Sequence, residues 1–374
     1  MRRFIMAAFA AAIGLTLSTA YAVAAPAFGS VHSGTSAHWA HRTIVVWPGH
    51  SIQAAINKAS PGDTVLVKRG VYHQSVQIRT NGITLRGSGD SRRGTVLKPP
   101  RRKVRHLCNL AFGETGVCIL AKKLDPKSGK VIRTVRNDTV TNMYVTGFPG
   151  NGVFGYGTVG MRVTRVSAIN DGAYGISRFV SSRTLFAWDT ARGNSEAGFY
   201  VGDSPNAKTV VRNDVATGNQ FGVFIRHARH VAVLDNKVAG NCEGILVLDD
   251  GQPGGAGNAA IWHNTVLHNN KFCPKSKDTP VTTQGGGILL LGATNTVVAK
   301  NRVYGNIGKQ FNSGGIVVLS AKKVSHGSNP RFDFILGNHV HHNSPADLIW
   351  DGTGKDVIFH ANHCGTSIPK GLCH

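Results

Sequence analysis

Four short motifs recur along the sequence: GISRF from Gly175, GFYVGD from Gly198, GVFIRH from Gly222 and GILVLD from Gly244. The series continues with GILLLG from Gly287, GIVVLS from Gly315 and, more loosely, DLIWDG from Asp347. A second short strand in each unit ends in a turn closed by Asn194, Asn219, Asn241, Asn269, Asn306 and Asn343. These asparagines are separated by 25, 22, 28, 37 and 37 residues. The sequence is therefore a repeat with a unit of about 22–25 residues and insertions in the later units.

A unit of this length, with two or three short strands and no helical segment, is typical of a parallel β-helix. The fixed leucine offsets of a leucine-rich repeat are absent. Strands of successive turns then pair in parallel about 4.8 Å apart, and their side chains alternate between interior and surface. We expect one interior column formed by Ile176, Phe199, Val223, Ile245, Ile288 and Ile316. The asparagines are predicted to lie at corners, with each amide bonded to neighbouring turns.

The segment SIQAAINKASPGDTVLVKRGVYHQSVQI, residues 51–78, precedes the repeat. Its apolar residues at Ile52, Ala55, Ile56 and Ala59 have helical spacing, which predicts a short amphipathic helix over residues 51–59 that caps the coil. Residues 51–86 and the units up to about residue 365 resemble the right-handed parallel β-helix superfamily, which includes pectate lyases, alginate epimerases and NosD-type copper-accessory proteins. The resemblance implies an all-β, single-stranded right-handed parallel β-helix over residues 44–374.

The first residues carry the pattern of an export signal. Arg2 and Arg3 precede an apolar run at 4–17 and small residues at 20–25, which predicts a signal peptide over residues 1–25. Residues 26–43 are expected to form a flexible mature N-terminus, and the protein to be secreted. No other stretch has the length of a transmembrane helix, so no membrane span is expected. The protein is expected to be a monomer.

Six cysteines in an exported chain predict disulfides rather than metal ligands. Fifteen pairings are possible for six cysteines. Nearest-neighbour pairing is our prediction, with Cys108–Cys118, Cys242–Cys273 and Cys364–Cys373 each closing an insertion or a tail. The last pair would clip a C-terminal tail over residues 364–374.

Charge is unevenly distributed. The 374 residues include 42 Lys and Arg against 19 Asp and Glu, a net charge of +23. Residues 91–136 contain thirteen basic residues and only Glu114 and Asp125 as acids, and we interpret them as a basic insertion beside the first turns. A polyanion is predicted to bind there through Arg101, Arg102, Lys103 and Arg105. A basic surface that only improves solubility is the alternative. No specific nucleic acid partner is expected.

Aligned on their opening glycines, successive units place Asp203, His227 and Asp249 at the sixth position. Such a column could hold a base oriented by a carboxylate, with an arginine to neutralise a sugar carboxylate. We predict a catalytic set of Tyr200, Asp203, Arg226, His227, Asp249 and Asp250, with Arg178 binding substrate. Asp249 and Asp250 could instead hold calcium. A structural column of ion pairs remains the alternative.

The resemblance to alginate epimerases and pectate lyases implies a polysaccharide lyase or uronate C5-epimerase that acts on an acidic polysaccharide. The Asp-Pro-His-Asp string of the epimerases is missing. A non-catalytic cell-wall or surface carbohydrate-binding module is the alternative. A second column, formed by Glu196, Gln220 and Glu243, could support glycoside hydrolysis. The C-terminal histidines could bind copper or zinc, although scattered surface histidines give the same pattern: His339, His341, His342, His360 and His363.

Overall fold

The computed structural model describes residues 41–276 and 279–373, which form 35 strands and three helices. The predicted signal peptide, and residues 26–40 of the predicted flexible N-terminus, lie outside the described residues. The first elements are β1 (Thr43–Val46), α1 (Ile52–Lys58), β2 (Thr64–Val67), β3 (Gly70–His73), β4 (Val76–Ile78), β5 (Thr84–Arg86), β6 (Thr95–Lys98), α2 (Leu107–Phe112), β7 (Val117–Leu120), β8 (Lys123–Leu124), β9 (Val131–Arg133) and β10 (Val135–Arg136).

The central elements are all strands: β11 (Thr139–Thr146), β12 (Val153–Tyr156), β13 (Thr158–Val159), β14 (Arg162–Ile169), β15 (Ile176–Phe179), β16 (Leu185–Ala187), β17 (Thr190–Arg192), β18 (Ala197–Ser204), β19 (Thr209–Arg212), β20 (Val215–Thr217), β21 (Phe221–Leu234), β22 (Lys237–Ala239), β23 (Glu243–Leu248), β24 (Gly257–Trp262) and β25 (Thr265–Leu267). The last elements are β26 (Gly286–Leu291), β27 (Val297–Ala299), β28 (Arg302–Tyr304), β29 (Gly314–Leu319), α3 (Lys322–Ser325), β30 (Phe334–Leu336), β31 (His339–His341), β32 (Leu348–Trp350), β33 (Ile358–His360), β34 (His363–Cys364) and β35 (Ser367–Ile368).

The strands wind into a coil with three faces, and each regular turn adds one strand to each face by parallel pairing. Face 1 contains β1, β2, β5, β11, β14, β16, β19, β21, β24, β27, β30 and β33. Face 2 contains β3, β6, β11, β14, β17, β20, β22, β25, β28, β31 and β34. Face 3 contains β4, β7, β12, β15, β18, β21, β23, β26, β29, β32 and β35. The long strands β11, β14 and β21 each bend across two faces. The predicted parallel β-helix is confirmed.

Helix α1 caps the N-terminal end of the coil. The Ser51 hydroxyl accepts a hydrogen bond from the Ala54 amide at 3.1 Å, which satisfies one free donor of the first turn. Ile52, Ala55 and Ile56 are buried against the first strands. The predicted helix is confirmed, with the two predicted end residues acting as its caps.

The interior is a stack of apolar residues from successive turns. The predicted column is confirmed, because parallel register aligns each member with the next and all are 0% exposed: Ile176, Phe199, Val223, Ile245, Ile288 and Ile316. Full burial of such side chains contributes about 1.5–3 kcal/mol each.

The corner asparagines form the predicted ladders. In one ladder, the Asn219 side-chain amide donates to the Asn241 side-chain oxygen at 3.0 Å and to the Ala191 carbonyl at 3.1 Å. The same contacts recur down to Asn343, which donates to Asp347. A second ladder runs from Asp189 and Asp214 through Asn236 to Asn362. These asparagines satisfy buried main-chain groups and are structural.

The stretch 91–136 is not one insertion, which corrects our expectation. Strands β6 and β7 belong to faces 2 and 3 and pair with neighbouring turns, because their apolar side chains fill the coil. Outside the coil lie the connection through α2 and the antiparallel hairpin β8–β9. Arg101, Arg102, Lys103 and Arg105 are exposed on that connection, as a binding role requires.

All three predicted disulfides are present: Cys108–Cys118, Cys242–Cys273 and Cys364–Cys373. Among the described residues, no helix combines the length and hydropathy needed to cross a bilayer.

Candidate functional site

Insertions in the later turns build a cleft on the outside of face 3. Three connecting segments, residues 268–285, 305–313 and 320–331, contribute to its wall through Val281, Asn312 and Val324. The cleft has a volume of about 550 Å³. Its other wall is formed by outward-facing residues of face 3 and the turns before its strands. Insertions of this kind explain the 37-residue spacing of the last asparagines.

Specific contacts attach these segments to the coil. The Cys242–Cys273 disulfide joins the first segment to the start of β23. The Asn312 amide of the second segment donates to the Glu243 carboxyl group. In the third segment, the Ser325 hydroxyl donates to the Asp249 carbonyl at 2.6 Å. The cleft wall is therefore fixed at three separate points.

Aromatic rings form a continuous cluster beneath and beside the cleft. Tyr174 stacks on Tyr200 with ring centroids 4.4 Å apart, and Phe221 lies 4.7 Å from Phe224. Tyr200 and Phe224 meet edge to face at 5.3 Å, which connects the two pairs. Tyr174, Phe221 and Phe224 line the cleft. The cleft thus combines apolar ring surface with a few polar groups, as ligand sites commonly do.

Arg226 is the one cationic side chain among the described residues that line the cleft. Its Nε donates to Asp250 Oδ2 at 3.0 Å, and its side chain is 42% exposed, against 7% for Asp250. The two terminal amino groups of Arg226 make no hydrogen bond to the described residues. A planar guanidinium with both terminal groups free can bind a carboxylate through two parallel hydrogen bonds.

Two further carboxyl groups line the cleft, Glu196 and Glu243. Burial raises the pKa of Glu243 to about 8, against the opposing effect of its hydrogen bond from Asn312. Glu243 therefore carries its proton at neutral pH. Glu196 hydrogen-bonds with Tyr174, and burial raises the pKa of the Tyr174 phenol, which stays neutral.

The structure separates the six predicted catalytic residues. Arg226 and Asp250 line the cleft, whereas Tyr200 is 1% exposed beneath Tyr174 and Phe224. The remaining three, Asp203, His227 and Asp249, do not line the cleft. The six residues therefore do not converge in this cleft, and their catalytic role stays a prediction.

Asp203, His227 and Asp249 do follow one another in successive turns, as predicted. His227 Nδ1 lies 3.5 Å from Asp203 Oδ1, and its Nε2 lies 2.6 Å from the Pro253 carbonyl oxygen. Asp203 and His227 both have positive φ angles, 50° and 47°, so the chain turns a corner at these residues. Their catalytic role stays a prediction, and neither residue contributes to the cleft.

Arg178 was expected to meet substrate, and the structure corrects this. Its side chain is 0% exposed and projects into the coil, because parallel register aligns it with the interior residue Val201. Its guanidinium donates to the Ser181 carbonyl oxygen. Burial lowers the pKa of Arg178 to about 9. Alternation along the strand places Arg178 on the same interior face as Ile176, two residues before it.

Calcium binding by Asp249 and Asp250 stays a prediction, and both carboxyl groups are bonded within the protein. Asp249 Oδ2 accepts from the Ser328 amide and hydroxyl at 2.9 and 2.6 Å, and Asp250 is paired with Arg226. Within the described ranges, no three or more His, Cys, Asp or Glu side chains are grouped to hold a metal ion. Of the C-terminal histidines, His341 and His363 are in direct contact, 2.9 Å between ring nitrogens.

Sequence reasoning missed Tyr174 altogether and gave Glu196 and Glu243 a secondary place. Tyr174 stands in the turn before β15, outside the repeated strand motif, and carries no periodic signal. The long spacing between Asn241, Asn269 and Asn306 was the available indication that these turns carry inserted segments.

Comparison with known proteins agrees with this architecture. A family model described as "Right handed beta helix region" matches residues 125–254, about a third of the chain. A comparison with curated protein sequences finds no match. A periplasmic alginate epimerase superposes with a TM-score of 0.51 and 12% identity, covering 85% of this chain and 83% of that chain.

Two other solved structures are similar in the same way. The catalytic domain of an α-1,3-glucanase has a TM-score of 0.53 and 13% identity, covering 89% of this chain and 67% of that chain. DFA-IIIase from Arthrobacter chlorophenolicus has a TM-score of 0.51 and 12% identity, covering 86% and 94%. At these identities the likeness concerns the fold. The chain has the fold of the right-handed parallel β-helix superfamily.

Proposed function

We propose that this protein is exported and binds an acidic polysaccharide in the cleft on face 3, where Arg226 meets a sugar carboxylate. The observation that carries the proposal is the half-exposed Arg226 guanidinium, which is held through Nε while its two terminal amino groups make no hydrogen bond to the described residues. Three disulfides are typical of exported proteins and support the compartment.

The net charge of the whole chain supports an anionic ligand. A net charge of +23 attracts polyanions over long range and raises their encounter rate. Within the cleft, Asp250 is neutralised by Arg226, and Glu243 is uncharged at neutral pH because burial raises its pKa to about 8. Glu196 is the remaining carboxyl group of the described cleft lining and the candidate base. Sugar rings can pack on Tyr174, Phe221 and Phe224.

Uronate chemistry would use these groups in defined roles. β-Elimination and C5 epimerisation both begin with removal of the proton next to the sugar carboxylate. Arg226 would neutralise that carboxylate, and Glu196 would accept the proton. The protonated Glu243 would donate a proton to the leaving oxygen in elimination, or to the opposite face of the sugar carbon in epimerisation. Tyr174, which hydrogen-bonds with Glu196, would orient it. A lyase or uronate epimerase is therefore the leading catalytic version of the proposal.

Glu243 favours a second candidate, glycoside hydrolysis. A carboxyl group that is still protonated at neutral pH is what a general acid needs to protonate a glycosidic oxygen, with a second carboxyl group such as Glu196 as its counterpart. A carbohydrate-binding module without catalysis would use the same cleft for binding alone.

Binding is tested by calorimetric titration of polygalacturonate and alginate, with dextran as the neutral polymer. We expect Arg226→Gln to weaken binding of both uronates by about ten- to a hundredfold, since a hydrogen bond to a charged group is worth about 1.5–3 kcal/mol. Arg302→Gln, an exposed arginine on β28, is the matched control and is expected to bind like the wild type. Equal binding by Arg226→Gln and the wild type would contradict the proposal.

Product analysis separates the catalytic versions. Unsaturated chain ends that absorb in the ultraviolet identify a lyase, and an altered uronate ratio by NMR identifies an epimerase. New reducing ends without unsaturation identify hydrolysis. Glu196→Gln is expected to abolish any of these activities while leaving binding nearly intact. Binding without any product identifies the non-catalytic module.

A further inference from the structure

A second charged surface lies on face 1, away from the cleft. Its exposed cations come from three successive turns: Arg162, Arg165, Arg183, Lys208 and the partly exposed Arg212. We call these residues, with Trp188, the basic face. Arg162 and Arg212 lie on strands β14 and β19, and the other cations lie at the corners beside them.

Two acidic side chains lie near this charge: Asp214 interacts with Arg212, and the exposed Asp235 follows Leu234, the register partner of Arg212. Residues 130–234 contain six acids, of which four are buried in or near the corner ladders: Asp138, Asp171, Asp189 and Asp214. Glu196 lines the cleft, and Asp203 lies beside His227 at another corner. The other four cations of the basic face form no ion pair with the described residues: Arg162, Arg165, Arg183 and Lys208.

Trp188 orders two of the arginines. The guanidinium carbons of Arg165 and Arg212 each lie 5.3 Å from the Trp188 ring centroid, and Trp188 itself is 46% exposed. Such cation–π contacts hold the planar guanidinium groups in place and leave their hydrogen-bond donors available. Because Trp188 belongs to the turn between those of the two arginines, they stand about 10 Å apart along the coil.

Apolar surface lies next to these cations. Leu185 and Val210 face outward in one column of face 1, on the same strands as the corner residues. A shallow depression of about 570 Å³ continues from there and is lined by Lys208, Val210, Ala232 and Ala260. A strip of short apolar side chains bordered by cations suits a chain of sugar rings with regularly spaced anionic groups.

We propose that the basic face is a second binding site, for a linear anionic polysaccharide that runs along the coil axis across successive turns. Carboxylate or sulfate groups of the ligand pair with Arg165 and Arg212, and its rings lie on the apolar strip. A single-stranded nucleic acid fits less well, because base stacking needs a free aromatic face and both arginines occupy the Trp188 ring. The inference concerns a separate face and does not rest on the function proposed for the cleft.

The test uses the full-length mature protein in an Arg226→Gln background, which removes the main anion contact of the cleft. Polygalacturonate binding is measured by calorimetry at several salt concentrations, with a single-stranded DNA oligonucleotide as the alternative polyanion. Arg165→Gln/Arg212→Gln is expected to weaken polygalacturonate binding at least about tenfold and to make its salt dependence shallower. Lys237→Gln/Arg302→Gln removes the same charge from face 2 and is expected to change affinity less than about threefold.

Trp188→Leu keeps every charge and removes the ring that orders the arginines. We expect it to weaken binding several-fold, with unchanged thermal unfolding showing that the coil is intact. If the two double variants lost the same amount of polygalacturonate affinity, the effect would come from net charge alone and the inference would be overturned. It would also be overturned if the basic-face variant lost DNA binding alone, or if Trp188→Leu bound as the wild type does.

Discussion

At the scale of single residues, the corner ladders distinguish asparagine from aspartate. Each asparagine side chain accepts from the preceding turn through its oxygen and donates to the next turn through its amide, as Asn219 does with Asn194 and Asn241. Asp171 occupies the same place at the end of one ladder, but its Oδ2 is buried without a hydrogen-bond partner among the described residues. Burial raises the pKa of Asp171 well above its usual range. An aspartate there is tolerated in its protonated form.

Asp171→Asn is therefore expected to stabilise the protein at neutral and alkaline pH. Because the pKa of Asp171 is higher in the folded state than in the unfolded state, its contribution is complete below about pH 4 and is lost as pH rises through the folded pKa. The asparagine can donate to Asn194, so we expect a gain of about 1–3 kcal/mol at pH 9 and little gain at pH 4. Calorimetric unfolding at the two pH values measures it.

The control is Asp235→Asn, a corner aspartate whose side chain is 54% exposed. It should change stability equally little at both pH values. A gain for Asp171→Asn that was the same at pH 4 and pH 9 would contradict the protonation argument, since only the ionised carboxylate is penalised.

At the scale of elements, the coil and its insertions have different sources of stability. Strands within the coil are paired on both sides and pack into the interior column. The described residues of the segment 268–285 include no regular strand. The segment is attached through Cys242–Cys273 and through main-chain contacts such as Lys271 to Asn241. The insertion can open without unwinding the coil.

Cys242→Ser/Cys273→Ser should loosen this segment selectively. A disulfide that closes a loop of this size contributes about 3–4 kcal/mol by restricting the unfolded chain. We expect faster proteolytic cleavage between residues 268 and 285 and weaker uronate binding in the cleft, with an unchanged far-ultraviolet circular dichroism spectrum. Cys364→Ser/Cys373→Ser, which frees only the C-terminal tail, should leave both cleavage of residues 268–285 and uronate binding unchanged. Protection of residues 268–285 in the first variant would show that other contacts hold the wall.

At the scale of the whole molecule, charge repulsion opposes the compact state. The chain carries +23, yet the described residues form only four ion pairs, two of which involve histidine. Many basic side chains therefore repel one another without compensation, and this repulsion is screened by salt.

We expect the melting temperature at pH 7 to rise by several degrees between about 0.01 and 0.15 M sodium chloride, where the Debye length falls from about 30 to 8 Å. Salt also weakens attractive ion pairs, but the described residues form few of them, so this opposing effect on the melting temperature is small. Scanning calorimetry measures the shift, and a sucrose series of equal osmolality controls for solute effects. A melting temperature that fell with added salt would show that attractive pairs outweigh the repulsion.

The amino-acid sequence by itself determined the coil, its capping helix, its interior column, the asparagine ladders and the three disulfides. Each of the repeated features follows from a local pattern with a fixed period, so that aligning the units is enough to align the side chains. Ile245 and Asn241 could be placed from the repeat alone, because their neighbours in space are their counterparts in adjacent units.

Only the tertiary structure decided which side chains meet in the cleft. Tyr174, Glu196 and Arg226 lie on consecutive turns of the coil, and the insertions that interrupt the period fold back over face 3 and place Asn312 opposite them. Asp203 and His227 have positive φ angles, so the chain turns a corner at each of them and neither predicted catalytic residue lines the cleft. The repeated sequence motif does not predict these angles. Periodicity specifies contacts between equivalent positions, whereas a functional site joins positions that are not equivalent.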